Sequence, residues 1–168
     1  MCIRDRVIPS EIDTYFRNRL LHGFVHDMGA AMQGGVGGHA GLFGNAFDVA
    51  VVLQMYIQGG YYGGKKLLSK SVINQFNTCY YCDKDNRRGV GFDKPELNDG
   101  SSDCRGQPSP TSFGHYGFTG TYAWADPENE MVIVFLSNRT YPTMDNKLLG
   151  KHNIRTRVRE VVYKALVD

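Results

Sequence analysis

The chain has 168 residues, 42% of them hydrophobic and 21% charged, and a formal net charge of +2. That length can carry one domain with a real core, burying roughly two-thirds of its unfolded surface, and the composition excludes a disordered chain. The small net charge and the lack of a basic run argue against a nucleic-acid or membrane-surface protein, and no apolar stretch has membrane-spanning length.

Taken in order, Pro9-Ser10-Glu11-Ile12-Asp13 carries cap-like chemistry and predicts a turn or short helical piece through Leu21. His22 and His26, with Asp27, could share one helical face as metal ligands. Gly23 weakens a helix there and no Glu lies between the histidines, so hydrogen-bonded structural histidines are expected and no metal site. Residues 34–41 hold five glycines around His39. With no Gly-Lys-Ser/Thr ending and no dinucleotide spacing after a strand, they read as a tight loop packed on backbone, not a phosphate cradle. Residues 45–58 form the clearest helix: Asn45 caps it, Asp48 suits its first turn, Gly59-Gly60 stops it, and its broad apolar stripe is core.

A tight hairpin-like turn is expected over 61–66, then a helix over 70–76 capped by Ser69. Cys79-Tyr80-Tyr81-Cys82 could be a redox dithiol, half of a zinc site or a local disulfide. No second Cys-x-x-Cys supports a four-Cys zinc site, and in an exported protein a disulfide among Cys79, Cys82 and Cys104 is expected, its pairing open. Gly89-Val90-Gly91-Phe92 reads as a strand start, and residues 93–111 as a long polar loop that could rim a cleft.

Residues 112–121 then read as an extended strand entering a Gly-punctuated crossing, followed by a strand ending at Asp126-Pro127 and an apolar strand over 131–138. Three glycines flank His115, and glycine inside a strand is costly unless another backbone or a ligand comes close. Ile154, Val158, Val161, Val162, Ala165 and Leu166 mark a C-terminal amphipathic helix with Arg155, Arg159 and Lys164 outward.

The run Ser112-Phe113-Gly114-His115-Tyr116-Gly117-Phe118-Thr119-Gly120-Thr121 resembles the Lys/His-Thr-Gly strand of the serine β-lactamase and penicillin-binding-protein superfamily. Val25-His26-Asp27 with the Gly-rich loop, Gly63-Gly64-Lys65-Lys66-Leu67-Leu68-Ser69, and Leu136-Ser137-Asn138-Arg139-Thr140-Tyr141-Pro142 agree with it. More narrowly, the chain is similar to β-lactamase-like domains fused behind family-three glycoside hydrolases in some gut bacteria. The resemblance runs from about Pro9 to the C-terminus and covers only the C-terminal half of such a domain. It implies an α+β class, a partial β-lactamase/transpeptidase-like fold with an antiparallel sheet and flanking helices, the last at the C-terminus. Residues 1–6 have no apolar signal-peptide core and resemble a translated sequencing-adapter tail. They are expected to be non-native, and residues 7–168 to be the truncated C-terminal part of a single domain whose sheet leaves an unpaired edge.

Enzymes of that superfamily use a Ser-x-x-Lys helix and a Tyr-x-Asn or Ser-x-Asn element. No serine here has Lys three positions on, no Tyr has Asn two positions on, and there is no Gly-x-Ser-x-Gly elbow. The resemblance therefore implies a fragment of a serine hydrolase acting on a β-lactam, a D-Ala peptide or an ester, itself without a nucleophile and inactive. His115 takes the Lys/His position, and the Phe118 backbone N–H is one oxyanion donor. Tyr116, Gly117, Thr119 and His39 are expected at the substrate, with Tyr116 departing from the family's Thr. A cell-wall or small-molecule substrate, an upstream glycoside hydrolase domain and a periplasmic or exported location complete the implication, with no cofactor. The alternatives are a non-catalytic cell-wall or glycan-binding module using Tyr61, Tyr62, Tyr80, Tyr81 and Trp124, and a metal-dependent hydrolase using His22, His26 and Asp27.

Overall fold

In a computed structural model of the protein, residues 6–95 and 108–166 are described. Along the chain run β1 (Glu11–Asp13), β2 (Arg19–Leu21), α1 (Met28–Met32), α2 (Ala46–Ile57), β3 (Tyr61–Tyr62), β4 (Lys65–Lys66) and α3 (Lys70–Asn77). A 3-10 turn (Cys82–Lys84) follows, then β5 (Phe113–Tyr116), β6 (Tyr122–Asp126), β7 (Met131–Phe135), α4 (Leu148–Lys151) and α5 (Ile154–Lys164). The strand pairings are antiparallel, which with these helices makes the chain α+β. The elements fall into two compact units: Met1–Asn45 with Gly117–Thr121 and Leu136–His152, and Ala46–Tyr116 with Tyr122–Phe135 and Asn153–Asp168.

The second unit is built on a three-stranded sheet in the order β5-β6-β7, with His115 opposite Ala123 and Tyr122 opposite Phe135. Alternation along the strands sorts their side chains onto two faces. Tyr122, Trp124 and Ile133 meet Tyr163 of α5, whereas Phe113 and Ala125 meet Leu53 of α2. Each large side chain buried this way contributes about 1.5–3 kcal/mol. Gly114 stands opposite Trp124, and a Cβ there would collide with the indole and with the Ala123 carbonyl. Glycine lets the tryptophan lie across β5.

Polar groups close the ends of this layer. Asp126, fully buried, accepts from the Ser109 N–H (2.9 Å) and hydroxyl (2.5 Å), the Tyr163 hydroxyl (2.7 Å) and the Asn129 amide (2.9 Å). Burial pushes its carboxyl up, but those donors outweigh burial and hold it below the usual range. Lys94 is buried and donates to the carbonyls of Ser112 (2.7 Å) and Thr111 (3.1 Å). Ser69 caps α3 through the Val72 N–H, as its position predicts. The β3–β4 hairpin turns on Gly63 and Gly64, both at positive φ, where a two-residue turn requires it. Cys79 and Cys82 are disulfide-bonded to each other, while Cys104 lies outside the described residues.

Three expectations fail in this unit. Residues 89–92 form no strand: the Gly89 N–H donates to the Phe92 carbonyl (2.9 Å), closing a turn between the bridged Arg88 and Asp93. Arg159 is not an outward residue of α5: it is 1% exposed, with its guanidinium over Trp124 and Nη1 donating to the Tyr116 hydroxyl (3.2 Å), while Val161 faces solvent. Trp124, also 1% exposed, is core and cannot line a glycan surface.

In the first unit, the expected turn or helical piece before Leu21 is a β-hairpin, β1 pairing with β2. Asp13 accounts for the difference. Its carboxylate accepts the backbone N–H groups of Tyr15 (3.1 Å), Phe16 (2.9 Å) and Arg17 (3.0 Å), and Asn18 takes a left-handed conformation that returns the chain. The cap-like chemistry thus closes a turn instead of starting a helix. Arg17 bonds Asp13 and spans to the carbonyls of Val25 and His26. Glu11, 1% exposed, accepts from the Met144 N–H (3.0 Å) and the Tyr15 hydroxyl (2.9 Å). Asn138 donates to the Pro9 carbonyl, and the Ile12 N–H to that of Pro142.

Candidate functional site

The segment from His115 to Thr121 leaves β5 and enters β6 through a short loop. His115 is exposed on the last turn of the strand pleat, and its Nδ1 lies 2.8 Å from the Tyr116 carbonyl oxygen. A carbonyl only accepts, so Nδ1 carries the proton and the neutral ring keeps its lone pair on Nε2. Tyr116 alternates to the other face, where its ring packs on Tyr122 (4.8 Å) and beneath the Arg155 guanidinium (4.8 Å). Its hydroxyl is the one that meets Arg159.

Beyond β5 the chain closes a tight loop: the Gly117 N–H donates to the Thr121 carbonyl (2.8 Å), and the Gly120 N–H to the Gly117 carbonyl (3.1 Å). A Cβ at Gly117 would strike the Thr121 hydroxyl. Gly120 sits at φ +107°, and a Cβ there would strike the Ser137 hydroxyl. Glycine is required at position 120 by its backbone, and at 117 it leaves the Thr121 hydroxyl its place.

Three successive carbonyls of this loop are held from the stretch after β7. Arg139 Nε donates to the Phe118 carbonyl (2.7 Å), the Arg139 N–H to that of Thr119 (2.9 Å), and the Ser137 hydroxyl to that of Gly120 (2.8 Å). The Phe118 ring lies under the Arg139 guanidinium (4.4 Å) and beside the His26 ring (5.6 Å). The Phe118 N–H, by contrast, has no acceptor among the described residues, and the residue is 62% exposed. An unpaired N–H on a loop fixed through its carbonyls is a donor that can serve an external oxygen.

His39 is placed by other means. Its Nε2 donates to Asp27 Oδ1 (2.8 Å), the oxygen that also caps α1 through the Ala30 N–H (2.7 Å). Those donors, Ala30 first, hold the Asp27 carboxyl below its usual range. A Cβ at Gly37 would crowd the imidazole, and one at Gly29 would press on the Asp27 carboxylate that holds it.

His22, His26 and Asp27 do not converge. His22 donates to the Val7 carbonyl (2.6 Å) and Asp27 serves α1 and His39. His26 Nε2 lies 3.0 Å from Glu11, within ion-pair distance but outside hydrogen-bonding direction. Sequence reasoning assigned no role to Arg139. The only signal was a guanidinium four residues past the end of β7, and the carbonyls it meets are invisible in a sequence.

Comparison with known proteins gives the family. The beta-lactamase family profile matches residues 9–155. The chain is 39% identical over 132 residues, 77% of its length, to proteins of Salmonella enteritidis PT4, Salmonella agona and Salmonella typhi described as "Putative D-alanyl-D-alanine carboxypeptidase". It spans 30% of the length of each of these relatives. Its α+β architecture is that of a partial β-lactamase-like fold, and the chain belongs to the beta-lactamase family of serine hydrolases.

Proposed function

We propose that this chain supplies the substrate-side wall of an acyl-transferring serine hydrolase whose nucleophile lies outside these 168 residues. A serine oxygen from that other part adds to the substrate's amide or ester carbonyl and gives up its proton to a neighbouring base. The carbonyl electrons move onto oxygen, and the Phe118 N–H stabilises the charge. The amine or alcohol then leaves with a proton, and water releases the acyl group. One oxyanion donor typically supplies about 3 kcal/mol of barrier reduction. His115 offers Nε2 to a polar substrate group, and Gly117 and Thr119 follow it along the same run.

The observation that carries this reading is the Phe118 N–H, unpaired on a loop whose neighbouring carbonyls are all bound. The relatives' description favours a peptide ending in D-alanyl-D-alanine, with a β-lactam or an ester as the other members of the class. It also favours a cell-wall role and therefore an exported location. On this reading residues 7–168 are the C-terminal part of one β-lactamase-like domain, and residues 1–6 are foreign to it. A family-three glycoside hydrolase upstream belongs to the same proposal. The chain alone should turn over nothing, whereas the chain joined to its upstream sequence should form a covalent adduct with a fluorescent penicillin or a fluorophosphonate. Failure of the joined protein to do so rejects the proposal.

A second reading keeps one observation in its favour: Tyr61, Tyr62, Tyr80 and Tyr81 are about half exposed. Saturable muropeptide or glycan binding without turnover in the joined protein would select a binding module.

A further inference from the structure

We propose that Arg139 is a positioning residue for the acyl-transfer site, an inference that rests on the function proposed above. Its side chain does three things at once to one residue and its neighbours. Nε fixes the Phe118 carbonyl (2.7 Å), the guanidinium covers the Phe118 ring (4.4 Å), and Nη1 ties back to the carbonyls of Met144 (2.9 Å) and Asn146 (3.0 Å). Its backbone N–H adds the Thr119 carbonyl. The Phe118 N–H sits between a Gly117 that is bound to Thr121 and a Phe118 carbonyl that is bound to Arg139. The N–H shares its peptide plane with the Gly117 carbonyl, which accepts from the Gly120 N–H, and the planes on either side are held through Thr121 and Arg139, so its aim depends on the arginine as well as on the glycines. A planar guanidinium can serve a carbonyl and a ring together, which an ammonium on a flexible stem cannot do as well. Arg139 touches no substrate in this account; it acts through Phe118.

The test has two arms. In the ¹⁵N-labelled chain, Arg139→Ala should speed hydrogen exchange at the Gly117 and Gly120 amides about tenfold, the effect of losing one net hydrogen bond. It should also shift the Phe118 and Thr119 amide resonances. In the protein joined to its upstream sequence, the same variant should lower kcat for a p-nitrophenyl ester roughly 100-fold, the scale of a misaimed catalytic group. KM should stay within about twofold, because the interaction is lost in the transition state and not in binding. Arg139→Lys should restore part of kcat, keeping a donor but not the planar cover. Because Arg139→Ala also strips Met144 and Asn146 of their donor, Phe118→Leu serves as the second variant. It leaves every carbonyl bond possible, removes the ring that lies under Arg139 and beside His26, and should lower kcat with KM unchanged. If the joined wild type is acylated and neither variant changes kcat, the positioning role is overturned while acyl transfer stands. If the joined wild type is never acylated, the acyl-transfer reading falls and the positioning role falls with it.

Discussion

The two units hold together by different means. The unit around β5, β6 and β7 is a sheet with an apolar layer on each face, Tyr163 with Trp124 on one and Leu53 with Phe113 on the other. Among its described residues, the unit around β1 and β2 has few large buried apolar side chains. It is fastened by side chains that reach backbone: Asp13 to three N–H groups, Arg17 and Arg139 to carbonyls, Glu11 to the Met144 N–H, Asn138 to Pro9. Apolar burial is non-directional and tolerates small shifts, whereas hydrogen bonds fix positions to fractions of an ångström. A loop with the proposed task of aiming one N–H is better fastened by the second means. Phe118 and Arg139 both belong to the polar unit.

Substitutions can break that contrast at different strengths. Trp124→Ala should cost the most, about 3–5 kcal/mol, as a large core truncation. Urea unfolding followed by hydrogen exchange should show the loss across β5–β7. Asp13→Ala comes next at about 3 kcal/mol, because it leaves three turn N–H groups and Arg17 without their acceptor. A loss under 1 kcal/mol by the same measurement would mean that the polar fastening is dispensable. Lys94→Met, which keeps the apolar stem and deletes the bonds to Thr111 and Ser112, should cost about 2 kcal/mol. Ser69→Ala should cost about 1 kcal/mol through its helix cap alone.

The contrast also carries a pH signature. Burial raises the Asp13 carboxyl, but the N–H groups of Phe16, Tyr15 and Arg17 and the Arg17 side chain outweigh it and bring it from 3.8 down to about 2. Its folded value lies below its unfolded one, so its stabilisation is complete above about pH 4 and is lost as pH falls through about 2. A ¹³C titration of the Asp13 carboxyl should show that midpoint. The stability difference between wild type and Asp13→Asn should shrink over the same interval.

What could be read from sequence followed the same division. The helix after Asn45, the Ser69 cap, the Gly63-Gly64 hairpin and the three long strands were legible, because periodicity and turn residues report apolar layering and local caps. Asp13 was legible as a capping residue but not as a hairpin closer, since the same carboxylate satisfies either geometry. Arg159 misled by its charge: it lies in the core because Tyr116 and Trp124 give it a hydroxyl and a ring face. His115 and Phe118 could be named only from family resemblance. The Arg139 bracket could not be named at all, because it joins residues twenty-one positions apart through main-chain oxygens.

The most direct measurement is intact mass after treatment with a fluorescent penicillin and a fluorophosphonate, on the 168-residue chain and on the chain joined to its upstream sequence. Acyl transfer with an external nucleophile predicts no adduct on the first and one stoichiometric adduct on the second, mapped to a serine outside these residues. A stoichiometric adduct on the 168-residue chain itself would contradict the account, because one of its own serines would then be the nucleophile.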